Sequence, residues 1–353
     1  MDRRFEIPAG WGRLQTIDAH TAGEPLRVVT GGWPEIPGDT ILAKRQFARE
    51  NHDSLRRALM WEPRGHADMY GCILTEPVTA DGDVGVLFLH NEGYSTMCGH
   101  GIIGLVKVGL DCGLLDPGEL EADAAGQPIV RIDTPAGRVT ATAHLEAGTE
   151  GTHVSRVSFL NVPSFVLEPD LAVDVPGFGP VRCDIAVGGA FYAYENAADL
   201  GLAIEPTAFA PLIDAGRRVK RAVMEQYQIV QPDGDPDLNF LYGTIFVQKG
   251  EGHVHSRNVC VFAEGEVDRS PTGTGVSGRA AIHHFRGELS AGETITIESI
   301  IGSTFDVRVA AETTVGRLPA IVPVVTGAAH VTGRHEFLID PEDPLRDGFF
   351  LRR

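Results

Sequence analysis

Two short segments constrain this chain more than any other feature, because they repeat one design. Met97-Cys98-Gly99-His100-Gly101 follows a predicted strand and opens an apolar run over 102–108 that reads as a helix. Pro271-Thr272-Gly273-Thr274-Gly275 also follows a predicted strand and opens a helix predicted over 276–285. Each places a small nucleophile-type side chain, then Gly-x-Gly, at a helix start. Such a two-fold echo points to two comparable halves. The length agrees: 353 residues exceed what one hydrophobic core usually holds, so two domains are expected.

The rest of the pattern is that of many short strands joined by turns. Gly and Pro are scattered rather than clustered. Strands are predicted over 14–19, 26–30, 71–75, 84–90 and 154–160, with a hairpin of 129–134 and 139–145 turning at Ala136-Gly137. One amphipathic helix is predicted over 41–59, with Asp39 or Thr40 as its cap. The stretch 170–180, rich in Pro, Gly and Asp, reads as the approach to a domain boundary. Beyond it, strands are expected over 244–247, 258–263, 294–300 and 305–310, with strand-like sequence continuing to about residue 337. No short-period repeat or low-complexity tract interrupts this.

The formal net charge of −18, with no basic stripe to offset it, argues against nucleic acid and anionic membrane as partners. The start has no apolar run behind a basic segment, and no stretch of about 18 apolar residues occurs, so a cytoplasmic protein is expected. Five cysteines, widely spaced and without a CxxC pair, fit neither a disulfide framework nor a zinc ribbon. Nothing in the sequence fixes the oligomer; a homodimer is the commonest assembly for soluble proteins.

The helix-start geometry suits proton abstraction. A helix N-terminus offers unpaired N–H groups and the positive end of the dipole. A carboxylate can sit on those groups. A cysteine placed there has its thiolate favoured, so the Cys98 thiol is expected to titrate below its free value. Glycine after it lets the backbone approach a ligand closely. Removing a Cα proton needs a base in contact and stabilisation of the enolate-like charge. Two opposed helix ends gripping one carboxylate would supply that without metal or organic cofactor. No HExxH pattern occurs, and Lys44, Lys107, Lys220 and Lys249 lie in no evident cofactor motif. Cys72, Cys112, Cys183 and Cys260 read as inert, buried cysteines. His253 and His255, alternating on a predicted strand, are too few for a metal site. His283 and His284 are expected to face solvent or a partner. Asp268 has the position of a turn cap.

With Asp268-Arg269-Ser270 preceding the second segment, the two motifs resemble the signatures of the proline racemase family. Asp18-Ala19-His20-Thr21-Ala22-Gly23-Glu24-Pro25, Asn91-Glu92-Gly93-Tyr94 and the closing Asp340-Pro341-Glu342-Asp343-Pro344 with Gly348-Phe349 match it too, so the resemblance spans nearly the whole chain. It implies an α/β (α+β) fold like that of diaminopimelate epimerase. Two pseudo-symmetric halves would each wrap a mixed sheet around a central helix, with the site in the cleft between them. The expected halves are 1–185, completed by 330–353, and 186–329. It implies Cys98 as the catalytic base. Gly99 with His100, and Gly273 with Thr274, would hold the carboxylate, and Asp268 and His100 would lie near the ring nitrogen. The implied ligand is a small cyclic amino acid, handled without a cofactor.

One departure is informative. Racemases and 4-hydroxyproline epimerases of this family carry a second cysteine where this chain has Thr272. A hydroxyl is too weak an acid–base group to exchange a Cα proton readily. Family members with threonine there resemble trans-3-hydroxy-L-proline dehydratases, so a hydro-lyase is what the resemblance implies. In that substrate the carboxylate and 3-hydroxyl lie on opposite ring faces, so the Cα hydrogen shares the hydroxyl's face. One catalytic face is then sufficient for loss of water, giving Δ1-pyrroline-2-carboxylate. The acid for the leaving hydroxyl could be Cys98 itself, or a water, including one held by Thr272. A racemase or epimerase, and a non-catalytic amino-acid binder, are the competing readings.

Overall fold

The computed structural model describes residues 6–148, 151–232 and 236–351; residues 1–5 and 352–353, at the two ends of the expected first half, lie outside that range. The described residues build one hydrogen-bonded sheet of 18 strands that divides into two similar halves. In the first, the spatial order is Ala329–Ile339, Gly12–Thr21, Glu24–Gly31, Tyr70–Thr75, Val84–His90, Ile129–Thr134, Gly137–Gly148 and Gly151–Leu160. In the second it is Ser164–Val175, Gly179–Val187, Phe191–Asn196, Leu241–Lys249, Ser256–Phe262, Thr294–Glu298, Thr304–Val315 and Leu318–Gly327. Both orders run through the same pairings: two antiparallel, then parallel, antiparallel, parallel and two antiparallel. The strand Leu318–Gly327 closes the second half by pairing with Ser164–Val175 at Ala320 and Ile321. Its other end pairs with Gly151–Leu160 and so joins the halves.

Each half wraps a central helix. Five α-helices occur among the described residues: α1 (Ile41–Asn51), α2 (Asp53–Met60), α3 (Gly99–Asp111), α4 (Phe209–Gln226) and α5 (Gly273–Phe285). Helix α3 is apolar nearly all round and buried from Gly99 to Val106, as a helix enclosed by a sheet must be. Helix α5 is buried from Gly273 to Ile282 in the same way. The outer helices serve the first parallel crossover of each half, α1 and α2 before Tyr70–Thr75 and α4 before Leu241–Lys249. Leu212, Ala215, Val219, Ala222 and Val223 form α4's buried stripe. The fold class is thus the one the family resemblance implies.

Four sequence expectations need correcting. The helix expected over 41–59 breaks at His52 into α1 and α2; Thr40 caps α1, its hydroxyl accepting from the Ala43 N–H. The stretch 170–180 is no boundary: it is the hairpin between Ser164–Val175 and Gly179–Val187. A division at 185/186 would cut the strand Gly179–Val187, which pairs on both sides within the second half, so the strand pairing moves the change of half to Asn161–Pro163. His253 and His255 precede the strand Ser256–Phe262 rather than lying on it. No helix among the described residues is long and apolar enough to cross a membrane.

The two inner helices meet end to end. A Cβ added to Gly99 would lie 2.4 Å from the Gly273 Cα, and one added to Gly273 would lie 2.6 Å from the Gly99 Cα. Backbone against backbone at that distance leaves room for glycine alone. This contact brings both repeated motifs to one place.

Candidate active site

A narrow cleft lies at that junction. Cys98, Gly99, His100, Asp268, Thr272, Gly273 and Thr274 all line it. So do Tyr70, Met97, Tyr192, Tyr242, Cys260 and Phe262, which sequence reading did not single out as site residues. The N–H groups in the first turn of each helix have no intrahelical acceptor, so Gly99, His100, Gly273 and Thr274 present donors at the junction. Side chains of neighbouring strands fix these turns. The Thr21 hydroxyl donates to the His100 carbonyl at 2.8 Å. The Tyr194 hydroxyl donates to the Gly275 carbonyl at 2.9 Å, and the Tyr192 hydroxyl pairs with the Thr274 Oγ1 at 2.8 Å.

Cys98 is the N-cap of α3, with extended backbone, and its Sγ accepts from the Gly101 N–H at 3.2 Å. The His100 Nδ1 lies 3.2 Å from the same sulfur. Burial pushes the thiol well above its ordinary value; the Gly101 N–H and the Tyr70 hydroxyl oppose this, while Asp268 and Glu24 add to it. The helix end therefore does not lower the thiol, contrary to the sequence expectation. Desolvation of a cysteine that is 4% exposed outweighs the donors. The His100 imidazole is held below its ordinary value by burial, against the pull of Asp268, whose Oδ2 is 3.9 Å from Nδ1. Asp268 also caps its turn, Oδ1 accepting from the Ser270 N–H at 2.7 Å.

Thr272 occupies the N-cap of α5, with φ at +66°, which a β-branched residue adopts only under strain. Its Oγ1 is buried and makes no hydrogen bond of normal geometry among the described residues, although the Cys260 thiol lies beside it. Cys260 is buried as expected, but it belongs to the cleft wall. Behind Asp268, the Glu24 carboxyl is fully buried and pushed well up, chiefly by desolvation; it accepts from the Arg269 N–H at 2.7 Å. Arg269 also pairs with Asp68 at 2.8 Å. Tyr192 and Tyr194 alternate along one strand toward one face, a signal that could have marked them. Tyr70, Tyr242, Phe262 and Cys260 carry no local motif. His283 and His284 lie away from the cleft: His283 pairs with Glu288 at 2.6 Å and with Arg279 at 2.9 Å.

A sequence model of the proline racemase family matches residues 16–350. The chain is 47% identical to a Colwellia psychrerythraea protein named trans-3-hydroxy-L-proline dehydratase, over 96% of this chain and 93% of that one. It is 46% identical to a Burkholderia multivorans protein named 3-hydroxyproline 2-epimerase, over 96% and 98%. The structure resembles that of a hydroxyproline epimerase from Agrobacterium vitis with bound trans-4-hydroxy-L-proline. The TM-score is 0.88 and the identity 31%, covering 98% of this chain and 96% of that one.

Proposed function

The chain belongs to the proline racemase family, and on that footing we propose that it dehydrates trans-3-hydroxy-L-proline to Δ1-pyrroline-2-carboxylate, with Cys98 as the base. The substrate is a small cyclic amino acid. Relatives of nearly equal identity carry dehydratase and epimerase names, so identity alone does not choose between them. The observation that carries the choice is the inequality of the two helix ends: a thiol caps α3 and a hydroxyl caps α5, across one cleft.

The substrate carboxylate sits across the junction, on the N–H groups of Gly99 and His100 from one side and of Gly273 and Thr274 from the other. Both dipoles point at the group whose charge grows as the Cα proton leaves. The ring nitrogen lies toward Asp268 and His100. Cys98 takes the Cα proton. Its raised titration makes the thiolate a stronger base once formed, and the ring ammonium brings positive charge that favours it. The electron pair then expels the 3-hydroxyl, which takes up a proton from an acid in the cleft and leaves as water, and the enamine tautomerises to the cyclic imine. Thr272 is too poor an acid–base group to deliver a proton to the other face, so inversion does not compete.

The test is incubation with trans-3-hydroxy-L-proline, trans-4-hydroxy-L-proline and L-proline, trapping the imine with o-aminobenzaldehyde. Imine is expected from the first substrate only. Inversion of proline or 4-hydroxyproline at a comparable rate, without imine from the 3-hydroxy compound, would overturn the reading in favour of an isomerase.

A further inference from the structure

We propose that Tyr70 is the acid that protonates the departing hydroxyl. This deepens the dehydratase reading and rests on it. The Cα hydrogen and the 3-hydroxyl of the substrate share one ring face, so base and acid must stand on one side of the cleft. Tyr70 meets that condition. It lines the cleft wall together with Cys98. The hydroxyl is also held 2.5 Å from the Ser95 Oγ, three residues before Cys98. Its ring packs edge-on against His100, with centroids 4.6 Å apart, so the phenol is fixed relative to the base. The residue is buried, and burial raises its titration, so the proton stays on oxygen until a strong base forms. Departing hydroxide is such a base.

The halves of the molecule show that this placement is local to the Cys98 side. In the first half Ser95 pairs with Phe88 and Tyr70 with His90; in the second Asp268 pairs with Cys260 and Gly243 with Phe262. Gly243 thus stands where Tyr70 would be expected. The side of Thr272 has no phenol at this station, and the side of Cys98 has one.

The step balances without any other reactant. With the Cys98 thiol proton first given up to solvent, the thiolate takes the Cα proton. The Cα–C3 double bond forms as the C3–O bond breaks. The Tyr70 O–H gives its proton to the leaving oxygen, which departs as water. The Tyr70 oxygen then recovers the proton now on the Cys98 sulfur, and both groups return to their starting state.

Tyr70→Phe keeps the ring and removes the proton. Imine formation from trans-3-hydroxy-L-proline should fall about a hundredfold or more, the usual worth of a general acid. Substrate recovered from D2O should at the same time gain deuterium at Cα, because the carbanion forms and returns. Trans-3-fluoro-L-proline, whose fluoride leaves without a proton, should lose fluoride at within about threefold of the wild-type rate. Unchanged imine formation would overturn the proposal. So would loss of imine with no deuterium wash-in and an equal loss of fluoride release, which marks a residue that only positions Cys98. Should Tyr70→Phe not fold, Ser95→Ala serves: it frees the phenol and should slow imine formation about tenfold while sparing fluoride release, and equal slowing of both would count against the assignment. If the wild-type protein makes no imine from trans-3-hydroxy-L-proline, the dehydratase reading itself fails; if it does and Tyr70→Phe matches it, only the role of Tyr70 fails.

Discussion

At one station of the first half, a helix is capped by a thiol, approached by an imidazole and a backbone N–H, with Tyr70 in the same cleft wall. At the matching station of the second half, the cap is a hydroxyl on strained backbone, without a normal hydrogen bond among the described residues and with Cys260 beside it. The segment between the short strand and the cap is one residue longer there: Thr96-Met97 precede Cys98, whereas Arg269-Ser270-Pro271 precede Thr272. What both halves keep is the glycine that follows the cap and the open N–H groups of the first turn. The difference teaches a division of labour. Binding of a carboxylate needs both ends and stays symmetric; proton transfer needs one end and is free to become one-sided. A racemase requires symmetry in both, whereas a dehydratase of a substrate with hydrogen and hydroxyl on one face does not.

Cys98→Ser is the largest perturbation of that contrast. It makes the two caps chemically alike, and imine formation should fall by at least about a thousandfold. The far-ultraviolet circular dichroism should stay unchanged, since serine is a good N-cap. Retained turnover would mean that the two ends were never different in chemistry. Thr272→Cys restores likeness in the opposite sense. A thiol facing the second side of the ring should bring inversion at Cα, read as D-proline formed from L-proline, up about a hundredfold from the threonine protein. The dehydratase rate should change little. Absence of inversion would place the distinction in the fit of the ring, not in the second base.

The two motifs were legible because each couples a reactive side chain to glycines that only a close contact demands, and Gly99 and Gly273 do touch. Their shared cleft followed from the family pattern as a whole. The supporting shell was not legible. Tyr70, Tyr242, Phe262 and Cys260 reach the cleft through strand pairings distant in sequence, and no local spacing encodes such a pairing. The hairpin at 170–180 was hidden by turn-rich composition, which marks hairpins and boundaries alike. Helix α4 did carry a signal, the 3–4 spacing of Leu212, Ala215, Val219 and Val223. The low thiol value expected of Cys98 failed because a helix end was weighed without its burial, which only the fold reveals.

The same comparison reaches a buried carboxyl away from the cleft. Register places Glu195 beside Phe246 in the second half as it places Val29 beside Ile73 in the first. Both residues are buried, yet one is apolar and the other ionisable. Neither Glu195 oxygen makes a hydrogen bond of normal geometry among the described residues, and burial, aided by Asp199 and Asp184, pushes the carboxyl up to about 8. The folded state therefore holds this proton more tightly than the unfolded one. Its stabilising effect is complete below the unfolded value of about 4.5 and is lost progressively as pH rises to about 8. Glu195→Gln imitates the protonated form and removes the loss. At pH 9 the variant should melt above the wild-type protein, by about 1–1.5 °C for each kcal/mol regained in a chain of this size, and at pH 4 the two should coincide. A constant difference at both pH values would show that the gain came from packing, and that the second half tolerates a charge where the first half buries a valine.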